Sequence, residues 1–103
     1  MRIGIVGGLD RKARELEGIA LARGHQLELH NGVIAGSASV AGLRALVARA
    51  DLVIVVTDVN SHNGVRVARE QARLSRRPLR LLRRMGVSQF EALVSSLDVR
   101  AAS

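Results

Sequence analysis

The sequence predicts a small α/β domain, a Rossmann-like three-layer fold around a four-stranded parallel sheet of order 2-1-3-4. Three observations carry this expectation. Short apolar segments alternate with amphipathic stretches four times along the chain. The run Leu52-Val53-Ile54-Val55-Val56 is apolar throughout and mostly β-branched, as a strand covered on both faces requires. The connections between segments are short, which implies parallel strands joined by right-handed crossovers.

The elements follow in order. Arg2 to Val6 reads as the first strand, closed by Gly7-Gly8. Asp10 is a suitable N-cap for a helix from Arg11 to Arg23, with Leu16, Ile19 and Ala20 on its apolar face and Gly24 ending it. His25 to Leu29 is the second strand, with His30-Asn31-Gly32 just beyond it. Residues 31–39 are small and polar and read as a loop. The second helix turns Leu43, Leu46, Val47 and Ala50 inward. Leu52 to Val56 is the third strand. A third helix starts at Ser61 or His62 and buries Val65, Ala68 and Ala72. Pro78 precedes the fourth strand, Leu79 to Leu82. The last helix opens on a capping box, Ser88-Gln89-Phe90-Glu91, and buries Leu93, Val94 and Leu97.

At 103 residues the chain is one domain, 1–103, with an aliphatic core and Phe90 as its only aromatic side chain. Cysteine is absent, so disulfides and thiolate metal sites are excluded. No apolar run approaches the ~20 residues needed to cross a bilayer, and Met1 leads straight into a strand without a signal-peptide pattern. The expectation is a cytosolic protein with no membrane partner. The net charge of +7 comes almost wholly from arginine, with Lys12 the only lysine. Such a balance points to anionic partners, although arginine over lysine also fits a GC-rich genome.

In open α/β sheets ligands bind beyond the carboxyl ends of the strands, at the point where strand order reverses. With order 2-1-3-4 that point lies between strands one and three. The turn at Gly7-Gly8 with Arg11, and the segment Thr57 to His62, then face each other there, and His30 enters from strand two. Gly7-Gly8 reads as an anion-holding turn or as a tight chain reversal. Its spacing is neither G-x-G-x-x-G nor a phosphate loop, and no acidic residue closes strand two, which argues against NAD. His30-Asn31-Gly32 is a ligand-facing imidazole with a backbone-exposing glycine, or a turn. Ser61 is an N-cap, with His62 at the first helical position beside free N–H groups. Asp58 orients His62 or His30, or caps the turn. His25, at the opposite end of strand two, reads as structural or solvent-exposed. Arg66, Arg69, Arg73, Arg76 and Arg77 make a basic stripe continued by Arg80, Arg83 and Arg84, either a solvated face or a duplex nucleic-acid surface.

Taken together, Val6-Gly7-Gly8 with Arg11, His30-Asn31-Gly32, Ala50-Asp51-Leu52-Val53, Asp58 with Ser61-His62, and Arg77-Pro78 resemble the bacterial family catalogued as domain of unknown function 2325. The resemblance covers nearly the whole chain through the order and spacing of these motifs. Three features depart from the family's pattern. Asn31 replaces the usual Asp, Val59 stands where many relatives carry Cys, and the third helix has no Cys. Cysteine-dependent chemistry is therefore not carried over. The resemblance implies a Rossmann-like domain with a functional rim around His30, Ser61 and His62, and it implies no activity.

The expectation is a ligand-binding or sensory domain, homodimeric by covering an exposed sheet edge or a helix face. Its site is Gly7, Gly8, Arg11, His30, Asn31, Gly32, Asp58, Ser61 and His62, and its ligand a small anionic molecule. Three alternatives stand beside it. One is a haem or transition-metal protein ligated by His30 and His62, with arginines pairing the haem propionates. Another is duplex nucleic-acid binding through the arginine stripe. The third is an enzyme with His62 as general base, which no nucleophile elbow, carboxylate cluster or phosphate loop supports.

Overall fold

The computed structural model describes residues 1–8, 12–58 and 60–102, with side chains through Leu97 in the last helix. Four strand–helix units follow one another: β1 (Arg2–Val6), α1 (Ala13–Ala22), β2 (Gln26–His30), α2 (Ser37–Arg49), β3 (Leu52–Val56), α3 (His62–Leu74), β4 (Leu79–Leu82) and α4 (Val87–Ala102). The strands form one parallel sheet in the order β2-β1-β3-β4. β1 and β3 pair at the centre, with Ile3 beside Leu52 and Val6 beside Val55. The α/β three-layer expectation and its strand order therefore hold.

The period-two alternation of the strands sends side chains into two separate cores. On one face Ile3, Ile5, Leu52, Ile54 and Val56 meet Leu16 and Ala20 of α1 and Phe90, Val94 and Leu97 of α4. On the other face Val6, Val53 and Val55 meet Leu43, Leu46 and Val47 of α2 and Val67, Ala68 and Ala72 of α3. Gly4 belongs to this second face, where a Cβ would strike Leu46 Cδ2 at 2.6 Å. A glycine inside a strand here lets α2 lie close against β1.

The element ends differ from the sequence reading by one or two residues. β2 runs one residue later than expected, and α1 starts at Ala13, after Lys12, which makes no side-chain cap. Asp10 and Arg11 lie outside the described residues, as does Val59. Gly24 ends α1 as expected, at φ 79°. Its amide donates to Leu21 O, and the His25 amide closes back on Ala20 O at 2.8 Å. α4 begins at Val87 rather than after Ser88. The Gly86 amide donates to Gln89 Oε1 at 3.0 Å, and Gly86 O accepts from the Phe90 amide at 3.0 Å. Gly86 thus stands at the N-cap, and Gln89 supplies one half of a capping box. The frame is chosen by Met85 and Phe90, which flank it at the staple positions and belong to the same core. Among the described residues no helix is long and apolar enough to cross a membrane.

Candidate functional site

The carboxyl ends of β1 and β3 are held together by one side chain, Asn60. Its Nδ2 donates to Val56 O at 3.0 Å and to Val6 O at 3.2 Å, so it ties the last carbonyls of the two central strands across the point where connectivity reverses. Its Oδ1 accepts from the Ser61 amide at 2.8 Å. Ser61 then caps α3, its Oγ accepting from the Gly64 amide at 2.8 Å. The same hydroxyl donates to Gly32 O at 2.6 Å, which pins the loop after β2 to the start of α3.

This junction explains why glycine stands at two positions. A Cβ on Gly32, which has φ 81°, would collide with Asn60 Oδ1, and a Cβ on Gly64 would collide with Gly32 O. His30-Asn31-Gly32 is therefore both a turn and a place of close backbone approach. Asn31 Oδ1 accepts from the Val33 amide at 2.9 Å, and what approaches Gly32 is the loop ahead of α3. His30 is half-buried, and its Nδ1 accepts from the Gly32 amide at 2.9 Å. A neutral ring held this way carries its proton on Nε2 and presents a donor outward. Binding a metal through Nε2 would break that bond, because a ligating nitrogen needs its lone pair. His62 is exposed at the first position of α3. Among the described residues no group of three or more His, Asp or Glu side chains could hold a metal ion. His25 is buried at 7% exposure at the far end of β2, where the Met1 amino group donates to its Nδ1 at 3.1 Å.

On the opposite face of the sheet, between α1 and α4, the rim opens into a cavity of about 550 Å³. Its floor is Ile5, Leu16, Leu29 and Val56. Leu29 is left 37% exposed by the opening. Gly7, Gly8, Lys12, Asp58, Arg83 and Arg84 stand around its mouth. Arg84 Nε donates to Asp58 Oδ2 at 2.9 Å, and Arg83 Nε lies 3.7 Å from Oδ1. The Arg84 hydrogen bond, backed by the charge of both guanidiniums, holds the Asp58 carboxyl below the usual carboxylate range against an opposing desolvation. Asp58 therefore pairs with the two arginines and orients neither histidine. A carboxylate held ionised in this way is a weak proton acceptor.

The expected site residues thus divide between two sides of one rim. Gly7, Gly8 and Asp58 line the cavity. His30, Asn31, Gly32, Ser61 and His62 build the loop–helix junction on the α2/α3 side and are absent from the cavity lining. Arg11 lies outside the described residues. Sequence reasoning missed Asn60 as the bridge between strands and undervalued Arg84. The signal for Asn60 was its place between a buried strand and a helix cap. For Arg84 it was a pair of adjacent arginines at a strand's carboxyl end.

No curated protein and no solved structure matches the chain. A family model described as "uncharacterized protein conserved in bacteria (DUF2325)" matches residues 2–97, from the first strand into the last helix. With the motifs at Gly7-Gly8, His30-Asn31-Gly32 and Ser61-His62 all inside that span, the chain belongs to this bacterial family.

Proposed function

We propose that the protein is a ligand-binding domain for a small organic anion, held in the cavity between α1 and α4 at the carboxyl rim of the sheet. The observation that carries this reading is the pairing of an apolar floor with a cationic mouth. A volume of about 550 Å³ falls within the range of small-molecule sites. Leu29, Ile5 and Val56 offer apolar surface to an organic body. Among the described residues Lys12, Arg83 and Arg84 outnumber Asp58, which leaves positive charge at the mouth for a carboxylate or phosphate. The guanidiniums use Nε on Asp58, and guanidinium forks suit planar oxyanions.

The fluorescent anion 8-anilinonaphthalene-1-sulfonate tests this, since it joins an apolar ring system to a sulfonate. Saturable binding of one dye per chain is expected. Arg83→Ala with Arg84→Ala should weaken it about tenfold, the order expected for losing one charge-assisted contact, and His62→Ala should leave it unchanged. If His62→Ala weakens binding and the arginine variant does not, the ligand sits on the α2/α3 side of the rim. A Soret band in the purified protein would instead favour haem at the histidines.

A further inference from the structure

The net charge of the protein resides in one stretch of the chain. From His62 to Arg84 there are eight arginines against a single carboxylate, Glu70, which makes +7. Elsewhere seven arginines and Lys12 are matched in number by eight carboxylates, so the rest of the chain is neutral. A compositional bias toward arginine alone would not leave the acids so unevenly placed.

Seven of these eight arginines are exposed, and Arg77 is half-buried. The buried side of α3 is Gly64, Val67, Ala68 and Ala72. Arg66, Arg69 and Arg73, at helical spacings of three and four, occupy the side directly opposite and are exposed. Arg76 follows in the turn that ends α3 and is exposed, whereas Arg80 on the edge strand β4 lies beside Ile54 and so belongs to the α1/α4 side of the sheet, away from α3. Arg66 lies 3.8 Å from Glu70. Among the described residues no carboxylate pairs with Arg69, Arg73, Arg76 or Arg80.

We propose that the outer face of α3, continued by Arg76, binds the phosphate backbone of a nucleic-acid duplex without reading its sequence. Arg66 to Arg73 spans about 10 Å along the helix at about 1.5 Å per residue. That is about three base-pair steps measured along the duplex axis, at about 3.4 Å each. Guanidiniums suit phosphate oxygens, and their release of condensed counterions supplies the affinity. A single strand is the poorer partner, because it is held by stacking on aromatic side chains and the only one, Phe90, is fully buried. This face is separate from the cavity mouth, so its test does not depend on the ligand proposed there.

Fluorescence anisotropy with a labelled duplex about two helical turns long tests the proposal, with salt varied from about 50 to 200 mM. Every basic protein adheres somewhat to DNA, so the controls are matched in charge. Arg69→Glu with Arg73→Glu should weaken binding about tenfold and flatten the plot of log affinity against log salt by about two. Arg14→Glu with Arg44→Glu makes the same change in net charge at exposed positions elsewhere, and should leave affinity within about threefold if a face rather than total charge matters. Arg69→Gln with Arg73→Gln repeats the test should the reversed pair fail to fold. Equal weakening by the two pairs overturns the proposal, as does equal affinity for a single strand of the same length. Binding to polyglutamate with none to the duplex also overturns it and gives the face to an acidic protein.

Discussion

Asp58 sits at the mouth of the cavity with a guanidinium on either side of its carboxylate. Its folded-state value lies below its unfolded one, so the ionised form is favoured by folding. The stability this adds is present above the ordinary carboxylate range, about 4, and is lost as pH falls through the lower folded value. The gap in stability between the protein and Asp58→Asn should therefore be constant from neutral pH down to that range and close below it. Urea unfolding over a pH series measures this, and a gap that persists in strong acid would mean that the carboxylate's shape matters more than its charge. At this scale the sequence placed Asp58, Asn60 and Ser61 in one motif without revealing their partners. Those partners are far along the chain: Arg84 is 26 residues from Asp58, and Val6 is 54 from Asn60. No spacing rule reaches across such separations.

At the scale of elements, α3 ends on an arginine in a conformation that suits glycine. Arg76 has φ 54°, the Arg76 amide donates to Arg73 O, and the Arg77 amide closes on Ala72 O at 2.8 Å. This is the Schellman closure, in which the left-handed residue is most often glycine because a Cβ there crowds the backbone by about 1 kcal/mol. Arg76→Gly should raise stability to chemical unfolding by up to about 1 kcal/mol. A fall would show that the Arg76 side chain makes contacts worth more than the backbone strain. Elements were the most legible level of the sequence. β3 and β4 lie where the apolar runs place them, and Ser61 caps α3 as its position suggests. The start of α4 was read too late, because Ser88-Gln89-Phe90-Glu91 fits a capping box while the helix begins at Val87, with Gln89 capping the Gly86 amide. Packing of Met85 and Phe90 on the core sets that start, and a linear pattern does not contain that packing.

For the whole molecule, strand order was legible because short crossovers leave few topologies. The side of the sheet on which each rim loop does its work was not, because it depends on where the helices leave room. α2 and α3 fill one side down to the Gly32–Ser61 contact, while α1 and α4 leave the other open. The central pair of strands is also fastened at both extremities. At the amino end the Arg2 amide donates to Asp51 Oδ2 and the Asp51 amide to Arg2 O, both at 2.7 Å. At the carboxyl end Asn60 spans Val6 and Val56. A seam stitched at each end does not fray, so the sheet should come apart from its borders inward. Amides of Ile5 and Ile54 should exchange with deuterium last and those of β2 and β4 earlier, as native-state exchange by mass spectrometry or nuclear magnetic resonance would read. Asn60→Ala should cut one stitch and bring the exchange of β1 and β3 toward that of the edges. The same point where the strand order turns back, and where such sheets usually part to admit a ligand, is here tied across by the amide of Asn60.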